Sequence, residues 1–145
     1  NGFENAIGNI TFVVTDSATA LAVNAANLNL ADIVSVRVDG DNDLSVDEAN
    51  ALIGISNYDQ AGGYTITDDA AAVSGSSLDL LGDAASVTVT GVANASQGAI
   101  INGFAHPSTT ASIQFEVRDD GDGFVSVPGV ISQLTEASVV ELTAS

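Results

Sequence analysis

The sequence has no cysteine, no methionine, no tryptophan and no lysine. Disulfides, thiolate zinc sites and cysteine nucleophiles are therefore excluded within the chain. One histidine, His106, cannot make a multi-histidine metal site. The only cationic side chains are Arg37 and Arg118, against 19 Asp and Glu, so the formal net charge is −17. Nucleic acid and anionic membrane surfaces need a basic footprint, and neither is expected as a partner. No run of 18 apolar residues occurs, so insertion into a membrane as a helix is not expected. Aromatics make up only 5% of the chain, which argues against a glycan-stacking site. Disorder is also not expected. Of the 145 residues, 46% are hydrophobic and the mean hydropathy is +0.32, whereas disordered acidic chains are poor in apolar residues.

What is present is repetition. Ile10-Thr-Phe-Val-Val-Thr-Asp16, Tyr64-Thr-Ile-Thr-Asp68 and Ile113-Gln-Phe-Glu-Val-Arg-Asp119 each alternate and close on Asp, with the aspartates 52 and 51 residues apart. A second column is Val34-Ser-Val-Arg-Val38, Ala85-Ser-Val-Thr-Val89 and Ala137-Ser-Val-Val-Glu141, whose serines stand 51 and 52 residues apart. Both columns read as strands, by period-two alternation and β-branched residues. Between them, residues 17–32, 69–84 and 121–136 are Ala- and Leu-rich with helical spacing. Residues 45–55 and 94–103 form a second helical set. Ser45-Val-Asp-Glu48 and Asn94-Ala-Ser-Gln97 have capping-box form, and Gly54 and Gly103 suit helix ends.

Strands joined by helical connections favour parallel pairing. The expected fold is an α/β repeat, solenoid-like, with mainly parallel strands and short helical connections in three repeats of 51–52 residues. The alternative is an all-β sandwich with the Ala-rich stretches as loops. A single domain is expected over 1–145, with repeats at about 1–41, 42–91 and 92–145. Phe12, Ile66 and Phe115 are expected to share one place in the core. The chain begins at Asn1 in a phase that follows a short helix, and ends after a strand of the second column. A first residue other than Met is expected of a processed product or a piece of a longer chain, and the phase is expected of a slice of a longer array or of a subunit whose ends meet those of a neighbour.

The run Tyr64-Thr-Ile-Thr-Asp-Asp-Ala-Ala-Ala-Val73, then Ala85-Ser-Val-Thr-Val-Thr-Gly91, then a capped Ala-rich helix, resembles the strand-rich repeats of very large bacterial surface proteins. These are adhesins and surface-layer proteins of the type I secretion type. The resemblance implies an extracellular or cell-surface location. The glycine-rich nonapeptide calcium repeat that many such proteins carry is absent.

Chemistry-bearing candidates are few. Asp39, Asp41, Asp43, Ser45 and Asp47 place oxygens at positions 1, 3, 5, 7 and 9 of an EF-hand-like loop, a candidate calcium site. Leu44 stands where the turn wants Gly, and Asn50 where a bidentate Glu is usual. The other reading is an acidic turn into a capped helix. Asp119, Asp120 and Asp122 form a weaker candidate, with Gly121 and Gly123 allowing a turn. The Asp16, Asp68 and Asp119 column is expected to cap the segment that follows each strand. His106 is expected in an exposed loop. Asn9 and Asn94 open glycosylation sequons. Nothing marks a catalytic constellation, so no enzyme is expected. The expected function is a structural repeat unit of an extracellular assembly (surface layer, filament or adhesin stalk) that self-associates end to end. The partner is then a second copy or adjacent repeats. The alternative is a calcium-dependent adhesive or ligand-binding module. Apolar residues crowd both ends: Phe3, Ile7 and Ile10 at one, Val139, Val140 and Leu142 at the other.

Overall fold

The structure is a computed structural model that describes residues 11–40, 42–61, 63–105 and 112–144. It is a mixed α/β fold in which short helices connect parallel strands grouped in small sheets. The described ladders are all parallel, and the Ala-rich stretches are helical, where the sandwich alternative needs antiparallel pairs and loops. Two compact units are formed, one of Asn1–Asn42 with Asp47–Gly62, the other of Asp43–Val46 with Gly63–Ser145.

In the first unit, β1 (Phe12–Asp16) leads through α1 (Ala18–Val23) and α2 (Ala25–Leu28) to β2 (Ile33–Val38). β1 and β2 pair in parallel, Val14 opposite Val36 and Asp16 opposite Val38. On its other side β2 meets a return segment: the Val36 amide donates to Asn57 O at 2.9 Å, and Val36 O accepts from the Asp59 amide at 2.9 Å. The core gathers Leu21, Leu28, Ile33, Val36, Leu52 and Ile55. All but the first residue of α3 (Val46–Ile53) belongs to this unit.

The second unit repeats that plan twice. β4 (Thr65–Asp69), α4 (Ala70–Gly75), α5 (Leu78–Gly82) and β5 (Ser86–Thr90) form one copy. α6 (Ala95–Ala105) and β6 (Ser112–Gln114) follow. β7 (Glu116–Asp119), α7 (Gly121–Ser126), α8 (Val130–Gln133) and β8 (Val139–Leu142) form the other. The registers coincide with that of the first unit: Ile66 opposite Val87 with Asp68 opposite Val89, and Val117 opposite Val140 with Asp119 opposite Leu142. A short β3 (Asp43–Leu44) pairs with β4, and Ala93 makes the matching bridge to Val117. β6 covers the far edge of β5, Val87 opposite Ile113. Each copy therefore pairs its first-column strand with its own second-column strand, and no described ladder joins equivalent strands of successive copies.

Several expectations need correction. Each long helical stretch is two short helices. The Ser77 hydroxyl accepts from the Leu80 amide at 3.2 Å and begins α5, while Pro128 and Gly129 (φ +75°) lie between α7 and α8. α6 runs past Gly103 to Ala105. The shared core place of Phe12, Ile66 and Phe115 is a slip of two residues. Counted back from each strand-ending Asp, Phe12 matches Tyr64 and Phe115, whereas Ile66 matches Val14 and Val117. Tyr64, Phe115, Ile66 and Val117 are buried, but Phe12 is 54% exposed.

Candidate functional site

The aspartate column does its work in pairs. A strand-ending Asp is followed by a helix-capping residue: Asp16-Ser17, Asp68-Asp69 and Asp119-Asp120. The first member accepts from the amide of the second, at 2.8 Å for Asp16, 2.8 Å for Asp68 and 2.9 Å for Asp119. The second member caps the helix that follows. Ser17 accepts from Ala20 at 3.3 Å, Asp69 from Ala72 at 2.8 Å and Asp120 from Gly123 at 2.8 Å. Asp68 and Asp119 also reach back 22 and 24 residues. Asp68 Oδ2 accepts from the Val46 amide at 2.9 Å, at the start of α3, and Asp119 Oδ2 from the Ala95 amide at 2.8 Å, at the start of α6. A carboxylate there satisfies an orphan donor and complements the positive end of the helix. The expectation that these aspartates cap the following segment is thus corrected: their neighbours do that, and Asp68 and Asp119 cap the preceding short helix. Asn94 and Gln97 form the reciprocal capping box, with bonds of 2.8 and 3.0 Å.

The candidate calcium residues are placed as follows. Asp43 accepts from the Thr65 and Thr67 hydroxyls, both at 2.9 Å, and so fixes the edge of β4. Asp39 is exposed, and its amide donates to Asp16 O at 2.8 Å. Asp47 is exposed in the first turn of α3, and Ser45 is half-buried before it. Asp41 lies outside the described residues, as do His106, Asn9 and the end residues Phe3, Ile7 and Ile10. In the second cluster Asp119 and Asp120 are helix caps, and Asp122 is exposed in the first turn of α7. Among the described residues no group of three or more acids or histidines converges as a metal site.

Beside β2 a shallow hollow is lined by Arg37, Gly40, Asn42 and Asp59. Arg37 Nε meets Asp59 Oδ2 at 2.8 Å, and Tyr58 donates to Asn42 Oδ1 at 2.7 Å. Burial pushes the Tyr58 phenol above its ordinary value. The bond to Asn42 opposes this, and the Asp59 charge adds to it. In the second unit Arg118 pairs with Glu141 across β7 and β8, Nε to Oε2 2.7 Å. These exposed pairs fix side chains locally and add little stability.

The other feature is apolar. Val36 and Val87 hold the same place in β2 and β5 and are fully buried, each with a return segment along its far edge. Val140 holds that place in β8 and is 42% exposed; Leu142, which matches Val89, is 66% exposed. β8 pairs only with β7 among the described strands. No protein-family model, curated protein or solved structure matches this chain. The reading of the site therefore rests on its own geometry. Sequence reasoning listed Val139, Val140 and Leu142 as crowding one end, but register was needed to see that Val140 and Leu142 hold the places of Val87 and Val89. Among the described residues no helix is long and apolar enough to cross a membrane.

Proposed function

We propose that this chain is a structural repeat unit of an extracellular assembly, such as a surface layer, filament or adhesin stalk. Its copies stack as an α/β solenoid and self-associate end to end. The observation that carries this reading is the threefold recurrence of one register, Val14–Val36, Ile66–Val87 and Val117–Val140, with the buried place of the first two second-column strands left open in the third. A repeat cannot bury its apolar face alone, so a neighbour supplies the missing cover. The composition supports an extracellular setting, since the chain carries neither cysteine nor lysine and has a net charge of −17. Repulsion at that charge keeps copies apart until salt or divalent cations, calcium included, screen it. Light scattering across a salt and calcium series tests the proposal. Mass is expected to rise with ionic strength, and a constant monomer mass throughout would refute it.

A further inference from the structure

Within the second unit, the far edge of β5 is occupied by β6, with Ser86, Val87 and Thr88 opposite Ser112, Ile113 and Gln114. The matching residues of β8 are Val139, Val140 and Glu141, because Val87 and Val140 face Ile66 and Val117, each two residues before a strand-ending Asp. That edge of β8 carries no described strand. The chain holds a second segment that matches β6 in sequence. Ile113 stands six residues before Asp119, and Ile10 stands six before Asp16. Asn9, Ile10 and Thr11 thus match Ser112, Ile113 and Gln114 in sequence.

We propose that β8 takes residues 9–11 of a second copy as a parallel strand, with Val139 opposite Asn9, Val140 opposite Ile10 and Glu141 opposite Thr11. This deepens the end-to-end reading above and rests on it. Three observations favour this occupant. The exposed Val140 and Leu142 acquire the kind of cover that Val87 and Val89 have. Phe12 follows directly on the docked segment and matches the buried Phe115, so its own exposure is relieved in the same contact. No pair in the ladder sets like charges against each other, which matters in a chain of net charge −17.

The absence of cysteine makes the test clean. Partner residues on neighbouring strands lie about 4.8 Å apart, within the Cα range of a disulfide. Ile10→Cys and Val140→Cys chains are mixed at a salt concentration where the unmodified protein scatters as a multimer, and oxidised. The disulfide heterodimer is expected to form at least about tenfold faster than with Val23→Cys in place of Ile10→Cys, Val23 being an exposed position outside the proposed ladder. Val140→Asp is expected to lower the multimer mass, and Ile131→Asp, also exposed, to leave it unchanged. A multimer whose cross-linking matches the Val23 control overturns this register and leaves the end-to-end reading standing. A double Ile10→Cys/Val140→Cys chain that closes only on itself overturns the second-copy occupant. A protein that scatters as a monomer at every salt concentration overturns the end-to-end reading as well.

Discussion

Replacing Asp68 with Ala removes the acceptor for two amides, Asp69 at 2.8 Å and Val46 at 2.9 Å. The two losses differ. Asp69 is exposed, so water replaces the bond at little cost. Val46 is buried, and its amide is left at a helix start without an acceptor. Bonds to charged groups contribute about 1.5–3 kcal/mol, and a buried donor left unpaired costs about 1–3 kcal/mol. These are two views of one loss, so Asp68→Ala is expected to cost about 2–3 kcal/mol. Asp69→Ala removes one exposed cap bond to Ala72 and is expected to cost about 1 kcal/mol. Asp68→Asn keeps one carbonyl oxygen and falls between them. The local readout is hydrogen exchange of the Val46 amide, which should lose roughly 30- to 150-fold of its protection in Asp68→Ala if it opens with the unit. Urea unfolding followed by circular dichroism gives the global value. An Asp68→Ala protein within about 0.5 kcal/mol of the parent, or one less affected than Asp69→Ala, would refute the reach-back role.

Gly98→Ala puts a methyl 2.6 Å from Val117 Cγ2 and 3.2 Å from Leu134 Cδ2. The usual helix gain of about 1 kcal/mol is then outweighed by overpacking of about 1–3 kcal/mol, and urea unfolding should show a net loss. Val87→Ala should cost about 2 kcal/mol in the same assay, since it empties a fully buried place, while Val140→Ala in the dispersed protein should cost under about 0.5 kcal/mol. Tyr58 has a folded pKa above its unfolded value of about 10, so its contribution is fully present below pH 10 and is lost as pH rises through the folded pKa. Thermal unfolding above pH 10 should therefore fall more steeply in the parent protein than in Tyr58→Phe.

The strands were legible because both columns repeat their alternation, and the first closes on matched residues, Asp16, Asp68 and Asp119. The serine column is in register for Ser35 and Ser86, opposite Val13 and Thr65, but off by one in the third copy, where Val139 rather than Ser138 stands opposite Glu116. The Asn94–Gln97 box was legible because its geometry is local. What escaped was non-local or set by register. No local pattern announces that Asp68 bonds an amide 22 residues earlier. The β3–β4 pair and the Ala93 bridge are too short to show a period. Ile66 stands two residues before its Asp and Phe12 four before its own, on the same face of the strand. Two residues of slip preserve the face in a strand and so preserve the alternation. The spacing of Asp39 to Asp47 is local, whereas Asp43 is held by two threonines of β4, 22 and 24 residues away, that no local pattern announces.

The end-to-end account is tested most directly by electron microscopy of the purified protein at high salt, with calcium and with a chelator. The account predicts linear assemblies one chain wide at high salt, and dispersed particles at low ionic strength without divalent cations, where the charge of −17 is unscreened. Dispersed single chains under every condition, or closed twofold dimers that do not grow, would contradict it.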